Sequence, residues 1–301
     1  MNAFAIYQVV ASGIATGCIY AILAISLIVI FKSTEVVNFA GGEVLVFGTY
    51  LGMLALMYFE LPYVAAFGFA AIGMFAVATG FEMIVLRTIA GRHRHGPTTL
   101  VALVVATVGL AYILRGAVRL FSYTEEPRRM PSLFRGPPIE FGQALLQRQD
   151  IAIIVISILL MLALFAFFQF TLTGKALRAA SQNARAATLV GIPVRRMRSL
   201  VWGGACALAG IAGVLIAAKL PITPDFGGSV VLLSFAAAII GGFTSIPGCV
   251  IGGILLGIVQ NLVGLFISSS AIAVAPFVVM MVVLVLRPQG LFGGSAALRK
   301  V

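Results

Sequence analysis

No Asp, Glu, Lys or Arg occurs between residues 3 and 31, or between residues 229 and 286. A run of about 20 apolar residues spans the hydrocarbon core as a helix, so charge-free stretches of this length point to membrane helices. The whole chain agrees. Of its 301 residues 61% are hydrophobic and 10% are charged, whereas a soluble domain carries about a quarter charged residues. A membrane β-barrel requires alternating polarity, and the runs do not alternate. The expectation is an all-α, polytopic membrane helix bundle forming a single domain over 1–301. The apolar stretches place spans at 8–31, 36–58, 62–86, 98–121, 151–170, 199–218, 229–242, 248–267 and 271–286.

The loops differ in charge. Residues 87–97 carry Arg87, Arg92 and Arg94 without an acid, and residues 174–198 carry six positive charges without an acid. The tail after Leu286 carries Arg287, Arg299 and Lys300. Residues 122–150 instead balance four arginines against Glu125, Glu126, Glu140 and Asp150, and residues 219–228 balance Lys219 against Asp225. Basic loops stay on the cytoplasmic side, which puts the first three segments inside and the last two outside. Nine crossings satisfy this, with the N-terminus outside and the C-terminus in the cytoplasm. The net charge of +11 is read as this orientation signal and not as a nucleic-acid surface. The N-terminus has no basic leader region and reads as a first membrane helix.

Two spans are interrupted. Residues 36–50, "VVNFAGGEVLVFGTY", place Asn38, Gly41, Gly42 and Glu43 among apolar residues, and 229–240 run into "GGFTSIPG". Broken helices survive at membrane depth only where they are buried in protein or line a wet cavity, and in transporters they often build the substrate site. If one of the two re-enters, the count is eight. Glu43 either caps the following helix or lines the pathway. Glu82 is expected to be an interfacial acid paired with Arg87. Gly13/Gly17, Gly48/Gly52, Gly248/Gly252 and Gly253/Gly257 have the spacing of close helix packing. The last two pairs make a stripe that calls for a tightly apposed helix.

No catalytic constellation is present. "TLTGKAL" lacks both the first Gly and the Ser/Thr of a phosphate-binding loop, since Gln169 and Ala176 occupy those positions. Cys18, Cys206 and Cys249 lie in apolar runs as packing residues, and His93 and His95 sit in a basic loop. No metal and no cofactor is expected.

Four blocks then carry a resemblance, in order along the chain: "VVNFAGGEVLVFGTY", "GKALRAASQNARAATLVGIPVRRMR", "SFAAAIIGGFTSIPGCVIGGILLGIVQ" and "LRPQGLFG". Together they resemble the branched-chain amino acid permeases of ABC transporters (the LivH/LivM type), with a length nearer the H type. The resemblance implies a bacterial inner-membrane importer subunit for branched-chain amino acids or related small amides. It implies a second, usually different, permease subunit, two cytoplasmic ATPases and a periplasmic substrate-binding protein. The missing phosphate loop fits, because the ATPase is another chain. Residues 174–198 would be the cytoplasmic coupling helix, bounded by Gly174 and Gly191, with Arg178, Ala179, Asn183, Ala184, Arg185 and Gly191 at the ATPase. Its alanines offer a low-relief docking face, and Arg178 and Arg185, a heptad apart, share one side. Asn38, Gly41, Gly42, Glu43 and Gln260 would line the pathway. Two departures stand out: many members of the family it resembles have Glu where this chain has Gln260, and the EAA-to-Gly spacing of other ABC permease classes is not met after Arg178-Ala179-Ala180. Two alternatives stay open: the same architecture carrying urea or another small polar solute, and a self-sufficient channel or secondary carrier.

Overall fold

The computed structural model describes residues 3–92, 97–120, 127–134, 136–141, 144–243 and 245–293. His93, His95, Glu125, Glu126, Arg299 and Lys300 lie outside these residues.

The described chain is a polytopic helical bundle. Six helices are long and apolar enough to cross a membrane: α1 (Ala3–Thr34), α3 (Tyr63–Phe81), α5 (Pro97–Arg119), α6 (Arg148–Phe170), α9 (Val194–Ala217) and α11 (Ile246–Phe266). Three shorter apolar helices, α2 (Gly41–Met57), α10 (Phe226–Gly241) and α12 (Ala275–Leu286), fall on the other expected spans. α4 (Arg87–Arg92), α7 (Leu172–Gln182) and α8 (Ala184–Leu189) are connecting helices. The only sheet among the described residues is a hairpin of β1 (Ile139–Phe141) and β2 (Ala144–Leu146), within the loop of balanced charge. α12 is shorter than its expected span because Ser270–Ala273 form a 3₁₀ turn before it.

The chain divides into two compact units. One comprises residues 29–130 and 160–228. Its center is α2 packed on α3 and α9. α1 ends because Glu35 turns left-handed, at φ 56°, as residues just past a helix end do. An extended stretch follows before α2 starts. α2 then meets α9 backbone to backbone. A Cβ on Gly48 would collide with the Gly210 Cα, and one on Gly213 would fall 2.5 Å from the Leu45 carbonyl oxygen. The α3 helix continues through a π-turn at Glu82–Leu86. Residues five apart lie about 140° apart around an ideal α-helix, and the wider π-turn brings Glu82 and Arg87 onto one side. Arg87 Nη2 sits 3.2 Å from Glu82 Oε2 and 2.8 Å from Ser199 Oγ, and the Ser199 hydroxyl also donates to Glu82. The expected Glu82–Arg87 pair is therefore present, with the carboxylate buried.

The other unit comprises residues 1–28, 131–159 and 229–301. Here the glycine stripe of α11 serves two neighbors. Gly253 and Gly257 face α1, where a Cβ on Gly17 would lie 2.6 Å from the Gly253 carbonyl oxygen. Gly248 and Gly252 face α10 at Gly241 and Ala237. Close approach of this kind is what small residues permit in lipid. α10 stops at Gly242, whose φ of 101° suits glycine alone. The carbonyls that its end leaves open are met by the later segment 286–293: Leu291 N–H donates to Ile240 O at 2.8 Å and Phe292 N–H to Gly241 O at 3.1 Å. The "LRPQGLFG" block is thus a cap for a helix about 50 residues earlier.

Candidate functional site

The expected pathway residues of the first broken segment sit at the start of α2. Asn38 is buried, and its Oδ1 accepts from Ala40 N at 3.0 Å. Ala40 is the N-cap of α2 and Glu43 is its third helical residue. In a reciprocal cap, Glu43 would take the Ala40 N–H, but Asn38 already holds that donor. Gly41 and Gly42 are buried, and a Cβ on Gly227, at the start of α10, would strike the Gly42 carbonyl oxygen. Phe39 N–H donates to Thr107 Oγ1 at 3.4 Å. Thr107 is ten residues into α5, about 15 Å along it, so α2 begins partway up its neighbor.

Glu43 is freed from capping and meets α5 two turns further on. Its Oε1 lies 3.4 Å from Arg115 Nε. Arg115 Nη2 lies 2.8 Å from Asp225 Oδ1, and Arg119 Nη2 donates to both Asp225 oxygens at 3.0 Å. Residues four apart share a helix face, which is how α5 presents both arginines to one acid. Two carboxylates and two guanidiniums therefore alternate without net charge. The set is incompletely satisfied: Glu43 Oε2 and Arg115 Nε are buried with no hydrogen-bond partner. A buried charged group left short of partners is costly, so this edge is suited to a ligand that brings both a donor and an acceptor. Arg115, Arg119 and Asp225 were not singled out from the sequence. The available signal was two arginines four residues apart inside an apolar stretch.

Gln260 belongs to the other unit. It lies on α11, where its Oε1 accepts from the Tyr20 hydroxyl at 3.0 Å.

The expected coupling segment differs from a single helix bounded by two glycines. It is two helices, α7 and α8, broken at Asn183. Thr171 starts α7 by accepting from Gly174 N at 3.0 Å. Asn183 starts α8 by accepting from Ala186 N, also at 3.0 Å. Both are ordinary cap chemistry. Gly174 is inside α7 and buried, where a Cβ would strike the Phe167 carbonyl oxygen at the sharp turn out of α6. Gly191 does end the segment, at φ 82°. The break also corrects the expected pairing of Arg178 and Arg185 on one face, since they stand on different helices. Arg178 Nη1 donates to Gln169 Oε1 at 2.9 Å. Ala179, Asn183 and Arg185 are exposed, Ala184 is half-buried, and Ala187 packs inward. Leu172, Leu189 and Val190 stand out at 85%, 89% and 77% exposure, which leaves an apolar, basic and acid-free surface without a covering element.

The high-affinity branched-chain amino acid transport system permease protein LivH of Escherichia coli K12 is 32% identical over 295 residues, covering 94% of each chain. The corresponding BraD protein of Pseudomonas aeruginosa PAO1 is 29% identical over 300 residues, covering 95% of each. A chain in the solved structure of PsaBC from Streptococcus pneumoniae in complex with Fab shares the fold. It has a TM-score of 0.51 at 12% identity, covering 94% of this chain and 92% of that one. The family model described as branched-chain amino acid transport system / permease component matches residues 9–286, and with these relatives it shows that the chain, a multi-pass membrane protein, belongs to that permease family.

Proposed function

We propose that this chain is one transmembrane half of an ABC importer for branched-chain amino acids or related small amides. It pairs with a second permease subunit, is driven by two separate cytoplasmic ATPases and receives substrate from a periplasmic binding protein. The observation that carries this reading is the α7–α8 surface. This segment offers an ATPase exposed apolar side chains, Leu172, Leu189 and Val190, together with the exposed Arg178 and Arg185 and no acid. A helix in a partner's groove uses apolar anchors of this kind. In the double variant Arg178→Glu/Ala184→Trp the ATPases are expected to be lost on co-purification while membrane insertion is normal. Full recovery of the ATPases with the double variant would remove the docking assignment.

The substrate class rests on the Glu43–Arg115 edge. An amino acid carries an ammonium to match the Glu43 carboxylate and a carboxylate to match the Arg115 guanidinium. That match favors a zwitterion over urea, which carries no charge.

The orientation follows the loop charges, with residues 122–150 outside and 174–198 in the cytoplasm. The three native cysteines are buried and can be replaced. Single cysteines at the exposed positions Ser132 and Ser181 should then react with an impermeant maleimide from opposite faces of the membrane. Equal labeling of both from outside would overturn this topology.

A further inference from the structure

In the unit formed by residues 29–130 and 160–228, a cavity of about 310 Å³ lies among the end of α1, the π-turn, α4, α5 and the start of α9. Its polar lining is Thr34, Glu82, Arg87, Arg195, Arg198 and Trp202, and the remainder is apolar or glycine. Three guanidiniums thus face one carboxylate. Glu82 is already engaged by Arg87 and by the Ser199 hydroxyl, which leaves an excess of positive charge. The hydrogen-bond inventory is equally one-sided. Arg87 Nε, Arg198 Nε and Trp202 Nε1 are all buried without a partner, and Trp202 is 0% exposed. All three are donors, and neither arginine nor tryptophan can accept. Nearly all buried polar groups in folded proteins are satisfied. With Glu82 already engaged, the three arginines that line this cavity call for a ligand that carries negative charge and accepts hydrogen bonds.

We propose that this cavity is a binding site for a phosphate-class oxyanion, either a free anion or the headgroup of an anionic phospholipid. Guanidiniums match the oxygens of such a group bidentately, and basic pockets between membrane helices take anionic headgroups. The site is separate from the Glu43–Arg115 edge and does not depend on the transport reading.

Trp202 is the only tryptophan in the chain, so its fluorescence reports on this cavity alone. The purified full-length chain in neutral detergent would be titrated with inorganic phosphate against sodium chloride of matched ionic strength. The same chain would be compared in nanodiscs of phosphatidylglycerol and of phosphatidylcholine. A saturable change with phosphate identifies a soluble oxyanion, and a change only with phosphatidylglycerol identifies a lipid headgroup; either supports the site. Removing one charged donor should weaken binding about tenfold or more, so Arg198→Gln and the exposed Arg195→Gln should each shift the midpoint by that amount. Arg178→Gln, outside the cavity, should leave it unchanged. A flat response to both probes, or wild-type midpoints in both cavity variants, would mean that water alone fills the space, and the proposal would be overturned.

Discussion

Glu43→Gln is expected to lower substrate uptake at least about tenfold while the protein is inserted and assembled as before. The substitution keeps the shape of the side chain but removes its charge, and a hydrogen bond to a charged group is worth about 1.5–3 kcal/mol, or tenfold and more. A purely structural role makes a different forecast. If Glu43 served only to neutralize Arg115, Glu43→Gln would leave Arg115 and Arg119 to share the one carboxylate of Asp225, and the charge-neutral pair Glu43→Gln/Arg115→Gln would recover both stability and uptake. If the two groups hold the ends of a zwitterion, the double variant regains stability but not uptake. Substrate uptake and thermal stability measured side by side separate the two, and near-normal uptake by Glu43→Gln alone would refute the pathway role.

Gly48→Leu should prevent folding of the unit that contains α2. Alanine already shows the problem, because its Cβ would meet the Gly210 Cα on α9, with the Gly210 carbonyl carbon at 3.4 Å. Neither is the end of a flexible side chain, so relief requires the helices to separate. Even tolerated overpacking costs about 1–3 kcal/mol, and separation also forfeits the contacts along Gly52, Gly210 and Gly213. Folded material measured by size exclusion in mild detergent should fall close to zero for Gly48→Leu and clearly for Gly48→Ala. Gly68→Ala in α3 is the counterpart. Nothing lies within 4 Å of its Cβ position, so the intrinsic helix preference for alanine should give a gain of about 0.5–1 kcal/mol. The same chemical change thus has opposite signs at two glycines of one unit.

Charge and hydropathy made the helices legible, because each apolar stretch had to hide its own backbone groups from lipid. All nine expected spans contain an apolar helix among the described residues. The Glu82–Arg87 pair was legible because both residues lie on one segment. What could not be read was anything that depends on which helices meet. Arg115 and Arg119 looked like part of an apolar run, and Asp225 looked like a loop charge. Only the packing of α5 beside the starts of α2 and α10 brings them to Glu43. The break at Asn183 was obscured for another reason. The surrounding alanines favor continuous helix, while the asparagine side chain opens a new one by binding the Ala186 N–H. In the sequence Gly174 looks like a helix boundary, whereas in the structure it allows close approach to Phe167, a difference that a composition pattern does not carry.

The cap on α10 has a consequence for biosynthesis. A ribosome delivers the chain in order, and all segments of the unit built from residues 29–130 and 160–228 have been made by residue 228. The other unit is gathered from three separated stretches, and the carbonyls of Ile240 and Gly241 receive their donors only when Leu291 and Phe292 emerge. In lipid each unsatisfied carbonyl costs several kcal/mol. The nascent protein therefore passes through a stage with one unit able to close and the other held open at α10 until Leu291 and Phe292 arrive.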